Sequence, residues 1–136
     1  MRCQAFFGSL TRRRVLIVAR ILLVDDDPQV LKLFAEILSR GGHSVVSTNS
    51  GESALDVLSD TSSIDLLVLD LSMPKPNGFE VLKVVRSKWP TLRILAISGW
   101  MEGTLLKAAK ILGATASLDK AEAPKLLLET VNNLLR

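Results

Sequence analysis

The sequence predicts a single doubly wound α/β domain, with five parallel strands in one sheet and helices on both faces. Five short apolar runs rich in β-branched residues alternate with five longer segments of helical period. Three of those runs, Ile21-Leu22-Leu23-Val24, Leu66-Leu67-Val68-Leu69 and Ile94-Leu95-Ala96-Ile97, are hydrophobic without a break, as strands covered on both faces are. The 136 residues suit one domain of ordinary size. Five βα units in succession imply right-handed crossovers.

Taken in order, Ile21–Asp25 is the first expected strand. A helix over Pro28–Arg40 follows, opening with Asp27 as N-cap and Pro28 at the first helical position. It places Val30, Leu33, Phe34 and Ile37 on one face and stops at Gly41-Gly42. Ser44–Thr48 is the second strand, and Ser50 caps a helix running to Leu58 with Ala54, Leu55 and Leu58 inward. Leu66–Asp70 is the third. The helix Gly78–Lys88 buries Phe79, Leu82 and Val85 and ends before Trp89-Pro90, where proline disfavours helix in the preceding residue. Arg93–Ser98, a helix over Thr104–Leu112 ending at Gly113, the strand Thr115–Leu118 and the helix Pro124–Leu135 complete the pattern.

Apolar residues make up 48% of the chain, enough for a filled core. The formal charge of +3 is unevenly placed. Residues 1–20 hold five arginines and no acid, which leaves 12 basic and 14 acidic side chains in the remainder. A mildly acidic globule (residues 21–136) behind a basic, poorly ordered extension (residues 1–20) gives no footprint for nucleic acid. Cys3 is the only cysteine, which excludes an internal disulfide and suits a cytoplasmic setting. Val15 to Val24 is apolar except for Arg20, shorter than the ~20 residues a membrane span needs, so no membrane insertion is expected. The arginine cluster after Phe6-Phe7 does not fit a secretory signal.

Ligands of such sheets bind at the carboxyl ends of the strands, near the point where strand order switches. Polar groups stand there. The first strand ends in Asp25-Asp26-Asp27, the third in Asp70 and the fourth in Ser98, and Lys120 follows the fifth. Bringing Asp25, Asp26 and Asp70 together sets like charges side by side, and at about 4 Å they repel by ~4 kcal/mol at an effective dielectric of 20. Protons or a cation must neutralise them, and an all-oxygen site suits Mg²⁺. Lys120 would balance a phosphoryl group on Asp70, and Ser98 would donate a hydrogen bond to it. A carboxylate nucleophile forming an acyl phosphate is an established form of covalent catalysis, and positioning with charge neutralisation is most of what the transfer requires.

At these residues the chain resembles the receiver domains of two-component response regulators. Leu22-Leu23-Val24-Asp25-Asp26-Asp27-Pro28 is similar to the family's acidic-pair motif. Asp70-Leu71-Ser72-Met73-Pro74, followed by Gly78, resembles its phosphoacceptor motif. Ser98-Gly99 matches the hydroxyl-plus-small pair, and Lys120 the family's lysine. The resemblance implies a flavodoxin-like arrangement of the predicted (βα)5 domain, with Asp70 as phosphoacceptor. It implies Asp25, Asp26, Asp70 and the backbone carbonyl of Ser72 around Mg²⁺, and Ser98 and Lys120 on the phosphoryl group. Gly99 would leave the phosphodonor room. The implied partners are a sensor histidine kinase or a histidine phosphotransfer protein, and a downstream protein target.

Two positions depart from the family. Ser117 stands three before the lysine, where an aromatic is usual, and Ala121 follows the lysine, where proline is usual. They leave the transfer chemistry in place and alter the usual route to output. The expectation is a stand-alone phosphorylation switch rather than a turnover enzyme, although a piece excised from a longer regulator would read the same. The alternative is a degenerate, phosphorylation-independent interaction module. A haloacid dehalogenase-type enzyme fits poorly, because Asp25-Asp26-Asp27-Pro28-Gln29 lacks the continuation that such a nucleophile motif has. Asp27 is expected as a helix cap, His43 as ordinary surface, Trp89 as a helix-end packing residue, and Trp100 as a lid or partner surface.

Overall fold

The computed structural model describes residues 17–60, 63–74, 77–99 and 102–136. Five strands and five helices alternate: β1 (Arg20–Val24), α1 (Pro28–Arg40), β2 (Ser44–Thr48), α2 (Gly51–Asp60), β3 (Leu66–Asp70), α3 (Gly78–Lys88), β4 (Arg93–Ser98), α4 (Glu102–Ile111), β5 (Ala116–Asp119) and α5 (Ala123–Leu135). The strands form one sheet in the order β2-β1-β3-β4-β5, every pair parallel. This is the predicted doubly wound domain. The chain steps outward from β1 to β2 and then back across to β3, so the switch in strand order lies between β1 and β3.

Alternation along the strands divides the core in two. Leu22, Val24, Leu67, Leu69, Ile94 and Ala96 point to the face covered by α2, α3 and α4, where Ala54, Leu58, Val81, Leu82, Val85 and Ala109 meet them. Ile21, Leu23, Leu66, Val68, Leu95 and Ile97 point to the other face, against Phe34 and Leu38 of α1 and Leu127 and Val131 of α5. Strands β1, β3 and β4 are thus buried on both sides, which explains their unbroken hydrophobicity. Each fully buried Leu or Ile contributes about 1.5–3 kcal/mol of transfer free energy.

The helix boundaries obey local chemistry. Asp27 accepts a hydrogen bond from the Gln29 N–H at 2.9 Å and caps α1, with Pro28 in the first turn. Ser50 lies just outside α2 and accepts from the Ser53 N–H. Asn77 and Glu80 form a reciprocal capping box on α3. Gly42, with φ of 94°, takes the left-handed conformation that ends α1. Trp89 closes α3 and packs against the core.

Several expectations need correction. Leu33 is 44% exposed, and Leu38 is buried instead. The stripe on α1 runs Val30, Phe34, Ile37, Leu38, and Leu33 falls at its edge. On α3 the fully buried residues are Val81, Leu82 and Val85, while Phe79 is only partly buried. β1 and β5 are offset by one residue from their expected spans, and Ala19, read as part of the extension, is buried. His43 is not surface: it is 5% exposed, its Nδ1 accepts from the Ala19 N–H at 3.1 Å, and its Nε2 lies 2.8 Å from Asn132 Oδ1. Because Nδ1 accepts, the ring proton sits on Nε2 and is donated to Asn132. His43 therefore ties the entry to β1 to α5.

Candidate functional site

Parallel pairing puts all the strand carboxyl ends on one edge of the sheet. Asp25 follows β1, Asp70 closes β3, Ser98 closes β4 and Lys120 follows β5. The neighbouring registers Val24 with Leu69, Asp70 with Ile97, and Ser98 with Asp119 bring these ends level. Sequence expectation and structure agree on this convergence.

The carboxylates of Asp25, Asp26 and Asp70 offer oxygen atoms that all lie within 4.8 Å of one another. Asp25 and Asp70 are each 2% exposed, whereas Asp26 is open to solvent. Lys120 supplies the nearest positive charge: Nζ is 2.7 Å from Asp25 Oδ2 and 3.4 Å from Asp70 Oδ2. The second oxygen of each buried acid accepts from backbone. Asp25 Oδ1 takes the Asp27 N–H at 2.9 Å, and Asp70 Oδ1 takes the Ser72 N–H at 3.0 Å. The backbone N–H of Lys120 donates to the Ser98 carbonyl at 3.0 Å, which fixes the lysine beside β4.

Burial pushes the Asp70 carboxyl above its ordinary value, and the charge of Asp25 adds to the rise. The Ser72 N–H and the Lys120 ammonium work against it without cancelling it. For Lys120, burial favours the neutral amine, but the bond and charge of Asp25 and of Asp70 outweigh it and hold the ammonium more firmly protonated. The site thus carries a charge imbalance that one lysine does not remove. Three carboxylates form a hard, all-oxygen donor set, and Mg²⁺ fits it.

The remaining predicted residues fall in place around this core. Ser98 is wholly buried, with its Oγ 3.5 Å from Ser72 Oγ. Gly78 opens α3 directly beneath the acceptor loop, and any Cβ there would collide with the Asp70 carbonyl and Leu71 Cα. A Cβ at Gly99 would meet only the Lys120 stem, at 3.6 Å. Ser117 is half-buried in β5 opposite Ala96. The turn after Lys120 is held by Asp119 Oδ1, which accepts from the Ala121 N–H at 3.0 Å. Trp100 and residues 1–16 of the extension lie outside the described residues.

Two features were not anticipated from the sequence. One is the close Lys120–Asp25 pair, which the level strand ends permit and the side-chain distance reveals. The other is the approach of the Ser72 side chain to Ser98, whose one sequence signal is a hydroxyl residue two positions after the acidic one.

The family model for the response regulator receiver domain matches residues 21–132. The chain belongs to the response-regulator receiver family. It is 38% identical over 117 residues to the transcriptional regulatory protein CpxR of Escherichia coli strain K12, covering 86% of this chain and 49% of that one. It is 36% identical to the transcriptional activator protein ExaE of Pseudomonas putida, covering 85% of this chain and 54% of that one. The chain therefore spans about half the length of the curated relatives it matches. Among solved structures, the chemotaxis response regulator CheY4 of Vibrio cholerae superposes with a TM-score of 0.79 at 29% identity, covering 88% of this chain and all of that one. Among the described residues, no helix is long and apolar enough to cross a membrane.

Proposed function

We propose that this receiver accepts a phosphoryl group on Asp70 from the phosphohistidine of a sensor kinase or a histidine phosphotransfer protein. The observation that carries the reading is the buried Asp70 carboxylate, flanked by the Lys120 ammonium and by the oxygens of Asp25 and Asp26. An Asp70 oxygen attacks phosphorus, the P–N bond to the histidine breaks, and its electron pair returns to the imidazole. The product is an acyl phosphate. Lys120 balances the new charge by pairing with a phosphoryl oxygen, and Ser98 donates a hydrogen bond to another.

Asp25, Asp26, Asp70 and the backbone carbonyl of Ser72 would hold Mg²⁺, which when bound supplies charge neutralisation for the phosphoryl oxygens. The chain's own residues do the rest. Ser72 orients the nucleophile through its N–H, and Lys120 keeps its charge at the strand ends. Output passes to a protein partner in a cytoplasmic setting, without insertion into a membrane and without nucleic acid contacts from this domain.

The test is incubation with acetyl phosphate and Mg²⁺ followed by intact-mass measurement. The wild type gains one base-labile phosphoryl group and Asp70→Asn gains none. Equal labelling of the variant refutes the assignment.

A further inference from the structure

Leu71 is buried in the core, and this anchors the loop after β3 so that Ser72 turns back over the site. The Ser72 N–H is bound to Asp70 Oδ1 at 3.0 Å. Its side chain then comes within 3.5 Å of Ser98 Oγ, and either hydroxyl can donate. Ser98 is 0% exposed while Ser72 lies at the surface, so the contact is shielded from solvent on the Ser98 side. One residue thus holds the acceptor with its backbone and faces the phosphoryl-contacting hydroxyl with its side chain. At 3.5 Å the contact is longer than the usual O–H···O bond of about 2.7–2.8 Å, and a charged phosphoryl oxygen offers a shorter and stronger one.

We propose that the Ser72 hydroxyl is a latch on Ser98. It engages the Ser98 hydroxyl in the unphosphorylated receiver and must release it before Ser98 can serve a phosphoryl group on Asp70. Ser72 is then a positioning residue that sets how readily the site changes state. The inference rests on the phosphoacceptor reading. A latch of this kind needs a short side chain with a hydroxyl at position 72, so its strength is adjustable by substitution at an exposed residue without disturbing the core.

The experiment measures the affinity of the full chain for beryllofluoride, a phosphoryl mimic, at saturating Mg²⁺. Binding is followed through the amide resonances of Asp70 and Ser98. Ser72→Ala binds more tightly than wild type by about twofold, the low end of what one neutral hydrogen bond carries, as suits a contact of 3.5 Å. Ser72→Thr, which keeps the hydroxyl, stays close to wild type. In a Ser98→Ala background the Ser72→Ala gain disappears. A gain that persists there shows that position 72 acts by crowding and overturns the latch, as does the absence of any gain or a Ser72→Thr variant that behaves like alanine. Wild-type protein that binds no beryllofluoride with Mg²⁺ present overturns the phosphoacceptor reading itself, and the latch with it.

Discussion

The Lys120 ammonium sits closer to Asp25 than to Asp70, at 2.7 Å against 3.4 Å. The lysine that would serve the phosphoryl group is therefore held mainly by a neighbouring acid. Asp25 has both oxygens engaged, one by Lys120 and one by the Asp27 N–H, whereas Asp26 stands open to solvent. Entry of a cation would set it in competition with Lys120 for the same carboxylate oxygens.

Lys120→Met tests that competition. The variant binds Mg²⁺ more tightly than wild type, measured by titrating the amide resonances of Asp70 and Ser72. Without metal it is less stable by about 1–3 kcal/mol, below the full cost of breaking a buried pair because the lysine side chain is 23% exposed. Unchanged Mg²⁺ affinity would show that the lysine and the cation do not share ligands.

Mg²⁺ raises the melting temperature of the wild type by mass action on the folded state. Asp26→Ala is expected to lose most of this gain, because the solvent-open acid would be the ligand with no competing partner among the contacts of the described residues. Thermal melts with and without millimolar Mg²⁺ check this. A variant that keeps the whole gain places the metal elsewhere.

The raised Asp70 carboxyl gives stability a pH dependence. A carboxyl that holds its proton better in the folded state favours folding below its ordinary value of 3.8, and this advantage is lost as pH rises through the folded value. In metal-free protein at neutral pH, Asp70→Asn is accordingly more stable than wild type, and the difference shrinks as pH falls toward the carboxyl range. Melting curves across that range decide it. A variant less stable than wild type at neutral pH would mean that the Lys120 contact outweighs desolvation.

His43 predicts a structural rather than a chemical phenotype. Asn132→Ala removes the acceptor of the buried Nε2–H and costs about 1–3 kcal/mol, read from urea denaturation. His43→Leu also strands the Ala19 N–H and costs a similar amount. Phosphorylation by acetyl phosphate continues in both, since His43 lies before β2, at the opposite end of the sheet from Asp70. Loss of phosphorylation in a folded Asn132→Ala protein would contradict this.

The fold was legible because its central strands are buried on both faces and so carry no polar interruption. The β3 and β4 spans, Leu66–Asp70 and Arg93–Ser98, coincide with those read from the sequence. The ends of β1 and β5 were less legible. A strand terminus depends on which backbone groups find partners: Asp65 accepts from the Arg20 N–H, and Thr115 Oγ1 accepts from the Ile94 N–H. Leu33 misled because amphipathic period fixes a stripe only to within one residue at its edge. His43 misled for a different reason. Its burial comes from Ala19 and Asn132, which lie 24 and 89 residues away, and no local pattern carries such a pairing. The convergence of Asp25, Asp26, Asp70, Ser98 and Lys120 followed from strand ends alone, but which acid the lysine prefers depended on side-chain distances.

The most direct test traps the acyl phosphate where it forms. Full-length protein is incubated with acetyl phosphate and Mg²⁺, reduced with borohydride, and digested for peptide mass mapping. Reduction converts an aspartyl phosphate to homoserine and leaves free carboxylates intact. Homoserine at position 70, dependent on both donor and Mg²⁺, is the predicted result. Homoserine at position 25 or 26, or a stable phosphate on Ser98 with Asp70 untouched, would contradict it.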